Sequence, residues 1–331
     1  MANMKLLSYQ ASHEQFSPGE LLRLIKKAEL AGFTSCHSSD HFHPWSTRQA
    51  HSGHVYTWLG AALEATRFPI YFITTPGQRY HPAVVAQAIA TLEEMYPNRL
   101  GVSLGSGEAL NEHITGAPWP EKAARNKRLF ECASIIRNLL NGEKVNHWGL
   151  VNVHEAKLYT LPKRVPPLNC AALSPETARW SGHWADGLLT AFRSLHQLKS
   201  IIQAFRAGGG EGKPIHVKLT FSYDRDLAKA KESAFEQWRT NSLDPRLLAS
   251  IHTVEQFDAA GDQCTMESVL KTIPVSSQLD DYIELISGIF SLGVDHIVLH
   301  NVGLNQDIFI EDFATEVLPH FKLNKLAENH L

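Results

Sequence analysis

The chain has 331 residues, 44% of them apolar, and 31 basic against 34 acidic side chains give a formal charge of −3. That composition allows a sizeable core, and the near balance, without long runs of one sign, argues against nucleic acid or an anionic membrane surface as a partner. No apolar run approaches the ~18 residues of a membrane helix, no basic-then-apolar leader opens the chain, and Cys36, Cys132, Cys170 and Cys264 form no C-x-x-C pair, so a soluble cytoplasmic protein with free thiols is expected.

Residues 5–10 read as a strand, and Ser17-Pro18-Gly19-Glu20 then supplies a capping box with proline at the first helical position. Leu21, Leu24, Ile25, Ala28 and Ala31 repeat at helical spacing until Gly32 ends the helix. A second strand is predicted over 34–38, followed by a long loop to about His54 and a helix over 58–66. Residues 68–74 are nearly all apolar or β-branched, as a strand covered on both faces should be. The alternation continues with a helix at 82–95, a strand at 99–104 and a helix at 121–140 stopped by Gly142. Residues 147–161 look like an extended excursion or hairpin. Strands follow at 167–171 and 187–190 around a helix at 175–182, then a helix at 195–207, a strand at 215–222 and a helix at 226–238. Residues 243–277 are irregular and read as an insertion before a helix at 279–292, the last strand at 296–300 and a final helix at 308–318. Eight strands alternating with helices predict a closed (β/α)₈ TIM barrel rather than an open doubly wound sheet, and with no linker the whole of 1–331 reads as one domain.

In such a barrel, chemistry gathers in the loops that follow the strands. Glu14 follows the first strand, Asp40 to Trp45 the second, Thr75 to Tyr80 the third, and Gly105-Ser106-Gly107-Glu108-Ala109-Leu110-Asn111-Glu112 the fourth. Pro44 keeps the second of these an ordered loop rather than a helix. Gly105 and Gly107 let backbone approach a flat ligand, while Glu108 and Asn111 offer a proton and hydrogen bonds. A histidine base (His41), an indole able to stack on a ring (Trp45) and a carboxylic acid (Glu108) are what redox chemistry on a flat cofactor needs.

Two other readings stay open on these residues. His41 and His43 form H-x-H, with His37, His51 and His54 nearby and His296 and His300 as a late pair, which is compatible with a metal-dependent barrel hydrolase. Pro44 directly after His43 speaks against it. A non-catalytic flavin-binding homologue is the other. Gly208-Gly209-Gly210-Glu211-Gly212-Lys213 imitates a phosphate loop, but Ala207 and Pro214 replace the glycine and the hydroxyl residue that the motif requires.

Taken together, Ser39-Asp40-His41-Phe42-His43-Pro44-Trp45, Arg79-Tyr80-His81-Pro82-Ala83-Val84-Val85-Ala86-Gln87, Tyr96-Pro97-Asn98-Arg99 and the Gly105 to Glu112 segment closely resemble the luciferase-like flavin oxidoreductase superfamily. The nearest branch is that of the glucose-6-phosphate dehydrogenases that use coenzyme F420, a 5-deazaflavin. The resemblance implies a (β/α)₈ barrel, usually a homodimer, with an isoalloxazine-type ring in its C-terminal mouth and a small organic substrate beside it. It implies that Asp40, Thr75, Asn111, Gly107 and Ala172 hold the cofactor, that His41 is the base, that Trp45 supports the developing charge and that Glu108 is the acid toward the reduced ring. Glu14 and Arg193 would face the substrate, and no metal is implied. Three departures bear on this. The turn after the fifth strand reads Ala171-Ala172-Leu173-Ser174 where the branch has Ala-Ala-Gly-Gly for the cofactor's phosphate tail, Phe72-Ile73 stands where the family often has a non-prolyl cis peptide, and beyond Arg193 no basic cluster for a sugar phosphate is visible. On these departures FMN is the expected cofactor, with F420 as the alternative.

Overall fold

Short strands buried on both faces pack best when they close on themselves, and the chain does so. The computed structural model describes residues 5–321. Eight parallel strands, β1 (Leu6–Ala11), β2 (Ser35–Ser38), β3 (Ile70–Thr74), β4 (Leu100–Leu104), β5 (Leu168–Ala171), β6 (Leu188–Ala191), β7 (Ile215–Tyr223) and β8 (His296–Asn301), pair in chain order, and β8 returns to β1. This is the predicted TIM barrel. Alternation along each strand sorts the side chains. Leu7 and Tyr9 of β1 pack outward, Tyr9 against Phe33 at 5.9 Å and Phe309 at 6.3 Å, while Ser8 turns inward onto Ser35 and His296. Ser17 caps the helix as read from sequence, with Glu20 N donating to Ser17 Oγ at 3.3 Å, although the Glu20 carboxylate pairs with Arg23 instead of closing a capping box, and Gly32 ends the helix at φ 94°.

Two segments gain definition. The predicted excursion is an antiparallel hairpin, Val145–Trp148 with Asn152–Ala156, outside the barrel. The irregular region folds into three short helices, Pro245–Leu248, Val254–Gly261 and Met266–Leu270, and the first two bring Ile251 and Phe257 onto Trp45 and Leu110 at the barrel mouth. All four cysteines are free, the Phe72–Ile73 bond is trans, and among the described residues no helix is long and apolar enough to cross a membrane.

The closed end of the barrel is plugged by polar side chains. Register places Tyr71 of β3 beside Gly101 of β4, and the ring extends across the missing side chain to His296 at 4.6 Å and His216 at 5.4 Å. A Cβ at Gly101 would lie 2.0 Å from Tyr71 Cδ1. Gly101→Ala is therefore expected to lower stability by about 1–3 kcal/mol through overpacking, read as a fall in the urea midpoint. Gly19→Ala, where nothing lies within 4 Å, serves as the control that should not fall.

Candidate active site at the barrel mouth

The loop after β2 is held from several sides. Asn111 Oδ1 accepts from Phe42 N at 2.8 Å and His43 N at 3.2 Å, Ser52 Oγ donates to the His41 carbonyl at 2.5 Å, and His43 Nδ1 donates to the Leu110 carbonyl at 2.9 Å. These bonds spend both lone pairs of the Asn111 carbonyl, so only its amide nitrogen stays available to the cofactor that the resemblance placed there. His41 then projects into the mouth. Its Nδ1 lies 2.5 Å from Glu14 Oε1, and its ring meets Trp45 edge-on at 5.2 Å. Trp45 is backed by Phe257, also at 5.2 Å.

Glu14 thus sits behind the histidine instead of facing a substrate, with Ser12 Oγ donating to its Oε2 at 2.7 Å. Burial works against both charges of this pair, yet each partner outweighs it. His41 is raised above the usual imidazole value by Glu14, and Glu14 is held well below the carboxylate range by His41. With Nδ1 committed to Glu14, the other ring nitrogen, Nε2, is the one left to exchange a proton in the mouth.

Asp40 is fully engaged within the protein. Thr74 Oγ1 donates to its Oδ2 at 2.7 Å, Tyr80 OH to its Oδ1 at 3.3 Å, and Arg79 Nη2 stands 3.2 Å from Oδ1. Arg79 stacks on Tyr80 at 4.4 Å and faces Glu112 on its other side, with its backbone N–H on Glu112 Oε2 at 2.8 Å. An acid–arginine–acid sandwich therefore underlies the loop. Sequence reading missed Arg79 and Glu112 as site residues, although both stand inside the motifs it quoted.

Glu108 opens a one-turn helix, Ala109–Glu112, on the β4 side. Its Oε2 is buried without a hydrogen bond, and burial raises its proton affinity above the usual range although His41 and Lys218 oppose that. Gly107 takes φ 84°, and a Cβ there would lie 2.8 Å from Thr75 Cγ2 and 3.2 Å from Trp119. Thr75 and Trp119 thus occupy the space that a side chain at Gly107 would need, and the Gly105 to Gly107 backbone and Thr75 form a close-packed cradle beside Glu108. Lys218, on β7, was also missed. A signal existed, because His216, Lys218, Thr220 and Ser222 put a polar residue at every second position of a predicted strand.

Leu173, which stands where the resemblance expects a permissive glycine, is 62% exposed beside buried Ala172. Arg193 is exposed in the loop after β6 and pairs with no other described residue. The H-x-H imidazoles diverge, His41 onto Glu14 and His43 onto a carbonyl. His300 bonds Gln15 at 3.0 Å and His296 bonds His216 at 3.1 Å, and among the described residues no group of three or more potential ligands could hold a metal.

Comparison with known proteins places this geometry. The model of the luciferase-like monooxygenase family matches residues 4–296. An F420-dependent glucose-6-phosphate dehydrogenase of Rhodococcus erythropolis is 35% identical over 97% of this chain and 99% of that protein. A solved F420-dependent secondary alcohol dehydrogenase, in complex with an F420-acetone adduct, superimposes with TM-score 0.90 at 30% identity and covers 96% of this chain and 99% of its own. A monooxygenase of Streptomyces bottropensis shares the fold, with TM-score 0.71 at 17% identity over 96% of this chain and the whole, 100%, of its own.

Proposed function

The chain belongs to the luciferase-like monooxygenase family, and from that premise we propose that it is an F420-dependent dehydrogenase oxidising a small carbinol to a carbonyl compound. One observation carries the reading: a histidine locked to a buried glutamate by Nδ1 and facing the mouth by Nε2, with a second glutamate, its proton affinity raised by burial, in the same mouth. FMN, expected from the changed tail turn and the missing basic cluster, gives way to the deazaflavin because the 35% and 30% identical relatives are F420-dependent.

The residues suit a flat ring. The Gly105 and Gly107 backbone with Thr75 offers a surface it can approach, and the unpartnered Glu108 Oε2 offers it a proton. When bound, the deazaflavin supplies a hydride acceptor. His41 Nε2 removes the hydroxyl proton as the C–H hydride leaves, and the carbinol becomes a carbonyl. Glu14 stabilises the imidazolium that results, Trp45 fixes the ring's orientation, and Glu108 gives up its own proton to complete the two-electron, two-proton exchange. Asp40 and Asn111 hold the loop in place.

Titrating the protein, freed of small molecules, with F420 and FMN separately tests the assignment. Saturable quenching of F420 fluorescence is expected. Tight binding of FMN alone would overturn the cofactor assignment, and binding of neither would overturn the redox reading.

The raised affinity of His41 for its proton has a kinetic consequence. Alcohol oxidation needs the neutral ring, so kcat/KM should climb with pH through a value above 6.5, the ordinary imidazole value. In Glu14→Gln the opposing charge is gone and burial prevails, so the acid limb of the pH profile should move down by about one unit or more. An unmoved limb would show that Glu14 does not govern the base.

A further inference from the structure

Behind the His41 and Glu108 pair lies a second polar site whose hydrogen-bonding sense can be worked out. Gln15 Nε2 donates to Gln237 Oε1 at 3.1 Å and to the Val302 carbonyl at 2.8 Å, and two acceptors at one end of the amide fix its orientation. Gln15 Oε1 therefore faces His300 Nε2, at 3.0 Å, and that nitrogen must carry the hydrogen. Burial keeps the ring neutral. His300 Nδ1 is then an unprotonated acceptor, and it is buried with no partner.

Lys218 supplies the complementary half. Its ammonium lies 5.8 Å from the centroid of the Trp238 ring, and His300 packs edge-on against that ring at 5.2 Å. Glu14 and Glu108 are close enough to favour its charge against burial, yet it makes no hydrogen bond or ion pair with any described residue. A donor and an acceptor thus flank one indole in the barrel interior, and neither is satisfied by the protein.

A hydroxyl can accept from an ammonium and donate to an imidazole nitrogen at once. A phosphate or carboxylate suits the pair poorly, since the unprotonated His300 Nδ1 has no hydrogen to give it and the negative charge of Glu14 acts on the same ring. Of the arginines near the mouth, Arg79 pairs with Asp40 and Arg48 with Asp258 at 3.0 Å and Asp262 at 3.1 Å, while Arg193, which pairs with no other described residue, is exposed in the loop after β6. Building on the dehydrogenase reading, we propose that Lys218 and His300 form a subsite for a second hydroxyl of the substrate, which makes the substrate class an uncharged, unphosphorylated diol or polyol. The oxidised carbinol lies at His41 and the bystander hydroxyl at Lys218 and His300. Neither of these two residues takes part in the proton transfer, and their role is to select and orient.

The test compares butane-2,3-diol with butan-2-ol, and glucose with glucose 6-phosphate, on protein whose F420 loading has been verified by fluorescence quenching. A site built around a hydroxyl leaves the buried His300 Nδ1 and the Lys218 ammonium without their shared partner when the hydroxyl is missing, so kcat/KM for the diol should exceed that for the mono-alcohol by on the order of 10²-fold. Lys218→Met and His300→Phe should each pull that ratio toward unity, with retained F420 quenching showing that the variant barrel is folded. Equal use of the two alcohols by the parent protein, no turnover of the diol, a ratio unmoved in both folded variants, or preference for the sugar phosphate over the sugar overturns the inference while the cofactor reading stands. Loss of F420 quenching in the parent protein itself overturns both.

Discussion

Replacing His41 by alanine is expected to slow alcohol oxidation by about 10²–10⁴-fold, the range of a positioned general base. F420 affinity should change little, because the cradle formed by Thr75, Gly105 and Gly107 does not use the imidazole. Alanine also strands the buried Glu14 carboxylate, which has its histidine partner 2.5 Å away in the parent. A loss of stability could therefore be mistaken for a loss of chemistry. His41→Gln separates the two: its amide can still donate to Glu14, restoring the fold, but it has no basic nitrogen to accept the substrate's proton. Both variants should be slow, and only the alanine variant should melt early. Parent-like rates in His41→Gln would end the assignment of this residue as base.

What could be read from sequence was the place of the chemistry, because a barrel puts its loops at strand ends and strand ends are visible in apolar runs. Glu14, Asp40 to Trp45, Thr75 and Glu108 were gathered on that ground, and the structure brings these segments to one mouth. Roles set by cross-strand register were not legible. Ala11 of β1 lies opposite Ser38 of β2, and this alignment, not any local signal, drops Glu14 onto His41. Asn111 likewise sits in a motif that reads as ligand-binding, yet its carbonyl is taken by the backbone of Phe42 and His43.

The largest effect on stability is expected at Arg79. Its side chain is 6% exposed and those of Asp40 and Glu112 are 1% exposed, so removing the cation leaves two carboxyls close together out of water. Arg79→Met should cost about 3–5 kcal/mol near neutral pH, measured by urea unfolding, since the penalty is that of uncompensated buried charge rather than of a lost surface pair. The pH dependence gives the mechanism away. Burial already raises Glu112, while Arg79 opposes it, so without the arginine its folded proton affinity rises further above the unfolded value. A group shifted in that direction penalises folding when ionised and ceases to do so when protonated, so the deficit of the variant should shrink as the pH is lowered to about 5. Arg79→Met with Glu112→Gln should recover part of the loss at neutral pH for the same reason, and a deficit that is unaffected by acid or by the second substitution would mean that the arginine acts by packing on Tyr80 alone. The outcome bears on catalysis as well as stability, because the sandwich carries Asp40, the residue immediately before the base, and Glu112, at the end of the turn that Glu108 opens. The two proton-handling residues are therefore set on a common buried support, and loosening it should reduce turnover even though no atom of Arg79 is assigned to the reaction.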